Sequence, residues 1–255
     1  MMVRLTIVIA TYNRAEQLMI TLRSVAAQTA DKAIWECVVV DNNSKDHTRG
    51  NIEQFIADNP SLNIRYCLET KQGLSHARNA GISNAQGDII AFIDDDEHIV
   101  PEFVDSYIDL FDSVPQAMSA GGKIIAEYPS GRPKWMSKYA EEPIANPMDF
   151  GETIKPFPKG RIPGGGNMAM RRTVFEKIGV FDTTLGRTAH IDTPSSHFLL
   201  CRISFILSGT LYTDFLFTLH TPYLIQPLRA TIEFLNSSFL SSSHIHFPPH
   251  RQSRL

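Results

Sequence analysis

The first half of the chain switches repeatedly between two periods of apolar residues. Residues 5–10 (LTIVIA) form an unbroken apolar run of the kind that fills a strand covered on both faces. Over residues 14–28 the period changes, and Leu18, Leu22, Val25 and Ala26 fall on one helical face. The run at 35–40 (WECVVV) repeats the strand pattern, Asp46 stands where it can cap a helix reaching about residue 58, and 63–68 make a third strand. A small-residue helix over 73–86, a fourth strand over 88–94 (DIIAFID) and a helix opened by Pro101 and reaching about residue 112 continue the series. Such alternation predicts an α/β protein with a Rossmann-like, mostly parallel central sheet flanked by helices.

Ligands of open parallel sheets lie beyond the carboxyl ends of the strands. The residues there are Thr11-Tyr12-Asn13-Arg14, Asp41-Asn42-Asn43-Ser44 and Asp94-Asp95-Asp96-Glu97. Four consecutive carboxylates repel one another and call for a positive partner. Mg2+ or Mn2+ is a natural one, because alternating acids at 94 and 96 present oxygen ligands while waters and substrate phosphates complete an octahedron. A solvated acidic turn is the alternative. An EF-hand is excluded, since the sixth position of such a loop is Ile99 where glycine is required.

Charge narrows the classes further. The 255 residues carry 24 Lys+Arg against 27 Asp+Glu, for a net charge of -3, so there is no basic excess for gripping a nucleic-acid backbone. Hydrophobic residues at 43% and charged residues at 20% describe an ordinary globular chain and exclude disorder or a collagen-like repeat. Cys37, Cys67 and Cys201 form an odd set without CxxC spacing and read as reduced thiols, which fits a cytoplasmic setting. The N-terminal apolar stretch is too short for a secretory signal.

Composition changes near residue 188. Residues 189–255 contain seven charged residues, no Lys and one Gly, yet six of the nine His and seven of the fifteen Phe. Their uncharged stretches 203–213 and 215–228 fall short of the ~18 to 20 apolar residues of a spanning helix, so no transmembrane span is expected. Peripheral association with a membrane stays open.

No GxxxxGK[ST] or GxGxxG loop follows the first strand, which disfavours an ATPase or a dinucleotide oxidoreductase. Ser75 and His76 lack a nucleophile elbow, so a hydrolase triad is set aside. Gly164-Gly165-Gly166 follows a proline-rich stretch and reads as a flexible turn into 167–170, serving packing or binding alike.

Four ordered runs carry a resemblance. IVIATYNRAEQL, VVVDNNSKDHT, GLSHARNAGISNAQGDIIAFIDDDEHIVPEFV and GGGNMAMRRTVFEKIGVFDTTLGR together resemble a family 2 glycosyltransferase with the GT-A fold, over residues 3 to about 188. The resemblance implies inverting transfer of a sugar from a nucleotide diphosphate donor, usually UDP-linked, to a glycan or lipid-linked acceptor at the inner face of the membrane. Carried over by position, Thr11, Tyr12 and Glu16 border the nucleotide and Asp41 accepts N3-H of a uracil ring. Asp94 and Asp96 match the D-x-D motif, with Asp94 or Asp95 near the ribose and Asp96 on Mn2+ or Mg2+. Arg78 faces the base or diphosphate side. The structural alternatives are that Asp41 caps the Asn42-Asn43-Ser44 turn and that Arg78 pairs with the acidic cluster.

The departure from the family is equally specific. Past the FDTTLGR run the family places a Glu-Asp pair followed by Arg, whose carboxylate is the general base. Residues 188–210 hold no such pair and the single acid Asp192, so no residue is carried over as the base. A remnant that binds nucleotide-sugar and metal without transfer is therefore the competing reading. A sugar nucleotidyltransferase is disfavoured by the missing Gly-rich, Arg-containing loop after the first strand. Because every compositional change falls at one point, residues 189–255 are expected to be the product of a shifted reading frame. That would leave a 1–188 glycosyltransferase domain truncated on its acceptor side.

Overall fold

The computed structural model describes residues 2–184 apart from 129–130, 138, 140, 142–146, 152 and 158–161, together with two short strands at 216–218 and 229–231. The boundary expected at 188 and most of the tail behind it lie outside the described residues.

Strands and helices alternate as the periodicity predicts: β1 (Leu5–Thr11), α1 (Ala15–Ala26), β2 (Trp35–Asp41), α2 (Thr48–Asp58), β3 (Ile64–Leu68), α3 (Leu74–Asn84) and β4 (Ile89–Asp94). A two-residue β5 (Glu97–His98) and α4 (Phe103–Ser113) follow, then β6 (Ser119–Gly121), β7 (Ile125–Glu127), β8 (Lys155–Pro156), β9 (Met168–Arg171) and α5 (Arg172–Ile178). β10 (Leu216–Thr218) and β11 (Arg229–Thr231) complete the set.

Among the described residues the main sheet has the order β3-β2-β1-β4-β9-β6-β10-β8. The first four strands are parallel, but β9 runs antiparallel between β4 and β6. The sheet is thus mixed beyond β4, and the run 167–170, read from sequence as a turn target, contributes a buried strand. β11 joins β5 and β7 in a small second sheet.

The two-sided burial of the strands explains their unbroken apolar runs. Leu5, Ile7 and Ile9 of β1 pack with Leu18, Leu22 and Val25 of α1, Ile52 and Phe55 of α2, and Phe103, Val104 and Tyr107 of α4. Val8, Val40 and Phe92 face the other way, onto Ala77 and Ile82 of α3 and Val174 and Phe175 of α5. Each fully buried Leu or Phe contributes roughly 1.5 to 3 kcal/mol through water-excluded apolar area.

Adjacent arginines tie down the edge of the sheet opposite the acids. Arg171 donates through Nε to Ala117 O at 2.8 Å and through Nη2 to Phe111 O at 2.7 Å, behind α4. Arg172 Nη2 donates to Ala85 O and Gly87 O at 2.8 and 2.6 Å, behind α3. The bonds to Phe111 O and Ala85 O satisfy carbonyls that the ends of α4 and α3 leave without an intrahelical donor, and those to Ala117 O and Gly87 O hold the loops that follow.

Candidate functional site

Register brings the strand ends together. Thr11 lies beside Asp41 across the β1–β2 pair, and Ala10 beside Asp94 across β1–β4. Chain order reverses between β1 and β4, so the topological switch point at which open sheets take their ligands falls at the ends of these two strands, beside Thr11 and the acidic turn.

The loops after β1 and β2 are laced to each other. Asn13 (φ 52°) and Asn43 (φ 66°) adopt the left-handed conformation that asparagine tolerates. Asn13 N–H donates to Ser44 Oγ at 2.9 Å and Asn13 Oδ1 accepts from Lys45 N–H at 2.7 Å. Asp46 accepts from Ala15 N–H at 3.2 Å and Thr48 N–H at 3.0 Å, so one carboxylate anchors the first turns of α1 and α2. Asn42 Oδ1 accepts from Gly73 N–H at 2.8 Å, fixing the entry to α3.

Asp41 is buried, with Oδ1 accepting from Ser44 N–H at 2.8 Å and Oδ2 from the Tyr66 hydroxyl at 2.9 Å. The turn-capping geometry is therefore present. A carboxylate has about four lone-pair sites, which leaves acceptor capacity for a further donor.

The acids divide by direction. Asp95 points inward, where Oδ2 accepts from Thr11 Oγ1 at 2.8 Å, while its carbonyl accepts from Thr21 Oγ1 at 3.0 Å. Arg14 Nη1 bridges Asp95 Oδ1 at 3.0 Å and Asp96 Oδ2 at 2.7 Å. Arg78, itself buried, donates from Nη2 to Gly165 O at 3.0 Å, meets Asp94 Oδ1 at 3.4 Å, and lies over the rings of Phe92 and Phe181. Glu97 turns back and accepts Asp94 N–H at 3.2 Å through Oε2. The positive partners that four acids demand are thus supplied in part by Arg14 and Arg78.

Withdrawal from water dominates the electrostatics. Burial pushes the Asp95 carboxyl up to about 6; Arg14 and Thr11 pull it back, while Asp96 and Asp94 add to the rise. Asp96 is raised by burial and by Asp94 against the pull of Arg14. Glu97 is raised well above the usual carboxylate range by burial and the neighbouring Asp94 charge.

Among the described residues no three His, Cys, Asp or Glu side chains form a ready-made metal cage. Mg2+ and Mn2+ often take one or two protein carboxylates and complete their shell with phosphates and waters. The donor chemistry of Asp94 and Asp96, with Asp94 half-exposed, fits such an ion.

Of the positions singled out by sequence, Thr11 is buried against Asp95, Tyr12 is half-buried and Glu16 is exposed in the first turn of α1. The structure links Thr11 to Asp95, Asp95 and Asp96 through Arg14, and Asp94 to Arg78 at the ends of β1 and β4, with Asp41 one strand away. Arg14, Glu97 and Tyr66 were given no individual role by sequence reasoning, and the triple glycine was read only as a turn serving packing or binding. For Arg14 and Glu97 the signal was their place at the strand ends; for Tyr66 there was none.

A parallel core with its acids at the switch point, and an antiparallel strand beyond β4, defines a GT-A glycosyltransferase fold. Solved structures share it: S. aureus TarS 1–349 in complex with UDP matches at TM-score 0.63 and 19% identity, covering 90% of this chain and 60% of that one. The mannosyltransferase PcManGT from Pyrobaculum calidifontis, in complex with GDP-Man and Mn2+, matches at TM-score 0.54 and 22% identity, covering 71% and 48%. The chain belongs to glycosyltransferase family 2, whose model, Glycosyl transferase family 2, matches residues 6–179. Relatives include the glucosyl-dolichyl phosphate glucuronosyltransferase of Haloferax volcanii, 27% identical over 72% of this chain and 58% of that protein. The succinoglycan biosynthesis protein ExoM of Rhizobium meliloti is 30% identical over 72% of this chain and 57% of its own length. The chain thus spans little more than half the length of these relatives. No helix among the described residues is long and apolar enough to cross a membrane.

Proposed function

We propose that the chain binds a nucleoside-diphosphate sugar, with UDP as the nucleotide, and transfers the sugar with inversion to a glycan or lipid-linked acceptor. The observation that carries this reading is the convergence of Thr11, Asp94 and Asp96 on the β1/β4 switch point of a family 2 chain. The UDP complex of TarS and the lipid-linked substrate in the name of the Haloferax relative support the choice of donor and acceptor class.

Asp94 and Asp96 are the residues that would hold Mn2+ or Mg2+, and Asp95, turned inward, holds the turn in place. A bound divalent ion supplies Lewis-acid stabilisation of the charge that develops on the departing diphosphate. The protein's own contribution is to orient and to stabilise charge. Arg14 and Arg78 flank the turn with fixed positive charge, Arg78 being held by Gly165 O and two aromatic faces. Asp41 has capacity left for a base N–H, and Tyr12 and Glu16, which follow β1, would border the nucleotide. Cytoplasmic placement and a peripheral position at the inner membrane face belong to this proposal.

One observation favours the second reading, a binding remnant: residues 188–210 carry no Glu-Asp pair to serve as base. Calorimetric titration of the protein with UDP, with and without Mn2+, together with a sugar-release assay, separates the two. The transferase reading expects Mn2+-dependent UDP binding that Asp96→Ala abolishes, plus turnover; binding without turnover selects the remnant. UDP affinity that is equal with and without Mn2+ sinks the metal-assisted form of both.

A further inference from the structure

At Gly166 the glycine-rich loop comes closer to the acids than any side chain permits. A Cβ placed there runs into Glu97 Oε1 and lies 2.6 Å from Glu97 Cδ and 2.9 Å from Asp94 Oδ2. The backbone of Gly166 is outside the positive-φ range that selects glycine at Gly73, Gly131, Gly151 and Gly179. Glycine is required at 166 for space and not for conformation. The space is filled by the Glu97 carboxyl, whose Oε2 accepts Asp94 N–H at 3.2 Å and so ties the end of β4 to the start of β5. The loop is held from the other side as well. Gly165 O accepts Arg78 Nη2 at 3.0 Å, and buried Asn167 accepts the Tyr107 hydroxyl at 2.6 Å.

We propose that Glu97 is a positioning residue: its carboxyl, seated in the room that Gly166 leaves, sets the place of Asp94 at the end of β4 and thereby the geometry in which the acidic turn receives a nucleoside diphosphate. The inference rests on the nucleoside-diphosphate reading above. It adds a coupling between two segments that sequence separates by almost seventy residues. A methyl at 166 meets only side-chain ends, the Glu97 carboxyl most closely and Asp94 Oδ2 at 2.9 Å, so it displaces the Glu97 carboxyl furthest and leaves the backbone in place. The bond to Asp94 N–H is then lost and Asp94 moves with it. Misplacing a reacting or liganding group by ~1 Å costs on the order of 100-fold in productive geometry. Aspartate at 97 is one methylene shorter and withdraws the carboxyl from the methyl's position. Glutamine keeps the length and an oxygen that accepts Asp94 N–H.

The test is a double-mutant cycle on the full chain, read by UDP titration in the presence of Mn2+ and by thermal melting. Gly166→Ala is expected to lower UDP affinity by about tenfold or more, and Glu97→Asp by only a few-fold. Gly166→Ala combined with Glu97→Asp should lose far less than the product of the two single losses, the remaining cost being the methyl's own contact with Asp94 Oδ2, which is the non-additivity expected of residues in contact. Glu97→Gln should stay within about threefold of the parent, because hydrogen-bond acceptance and not charge is the role assigned. Losses that multiply in the double variant, or a Glu97→Gln loss as large as that of Gly166→Ala, overturn the proposal. A parent that binds no UDP overturns the nucleotide reading and the positioning role with it, whereas additive affinities in a UDP-binding parent overturn the positioning role alone. The melting cycle reports the Gly166–Glu97 contact in either case.

Discussion

Asp41 commits both carboxylate oxygens to partners inside the protein, Ser44 N–H and the Tyr66 hydroxyl. Burial, with help from this carboxylate, pushes the Tyr66 phenol up to about 12, so Tyr66 remains a donor at neutral pH. The two side chains are separable by mutation. Asp41→Ala is expected to weaken uridine nucleotides by ~1.5 to 3 kcal/mol, the range of a charged hydrogen bond, and to flatten the preference for UDP over GDP. Tyr66→Phe should leave that preference intact and lower unfolding stability by about 1 kcal/mol. Competition titrations with the two nucleotides decide the matter: an equal loss for UDP and GDP in Asp41→Ala assigns Asp41 to the turn alone.

Two helical glycines make opposite predictions about the elements that hold them. Gly50 in α2 has nothing within 4 Å of where a Cβ would stand, whereas a Cβ on Gly81 in α3 collides with Val8 Cγ1 of β1. Gly50→Ala should therefore raise stability by ~0.4 to 1 kcal/mol through the unfolded chain's lost freedom. Gly81→Ala should lower it by ~1 to 3 kcal/mol, since Val8 is buried and cannot yield. Denaturant unfolding midpoints measure both, and matching signs would contradict the close packing of α3 on β1. Asp46 adds a pH-dependent case. Burial raises its carboxyl, but the bonds from Thr48 and Ala15 outweigh this and hold it below the ordinary value. A carboxylate so held contributes stability that is present above its unfolded value and is lost as pH falls through the folded one. Asp46→Ala should cost about 1 kcal/mol at neutral pH, the size of an N-terminal helix cap. The difference from the parent should begin to close near pH 4, where aspartate protonates when unfolded, and vanish once pH is below the lowered folded value. A gap that persists at low pH would point to packing.

Over the whole molecule, acids and their arginine partners gather at one edge of the sheet while Arg171 and Arg172 close the opposite edge. The family match ends at residue 179, close to where composition changes. We propose that residues 189–255 derive from a shifted reading frame, so that nucleotide binding outlasts transfer in this chain. Translating the coding sequence beyond codon 188 in its other two frames should recover a Glu-Asp pair followed by Arg and a return of Lys. Neither frame doing so, or efficient sugar transfer by the chain as written, would make the tail an acceptor module of its own.

Much of the first unit could be read in advance because its information is local. A strand buried on both faces must be apolar throughout, and a helix covering it must repeat near 3.6 residues. Hence β1 to β4 and their helices fall where periodicity places them, with acids closing β4. The insertion of β9 antiparallel to β4 was not foreseeable, because the long stretch from 128 to 167 breaks the strand-helix rhythm and leaves pairing to long-range register. The cation that answers the acids is likewise a matter of register: Arg14 reaches Asp95 across 81 positions of sequence, and Glu97 meets Gly166 only where the β9 loop crosses the acidic turn. Periodicity records which face a residue turns toward the core; which distant residue it meets there is set by how the packed elements align.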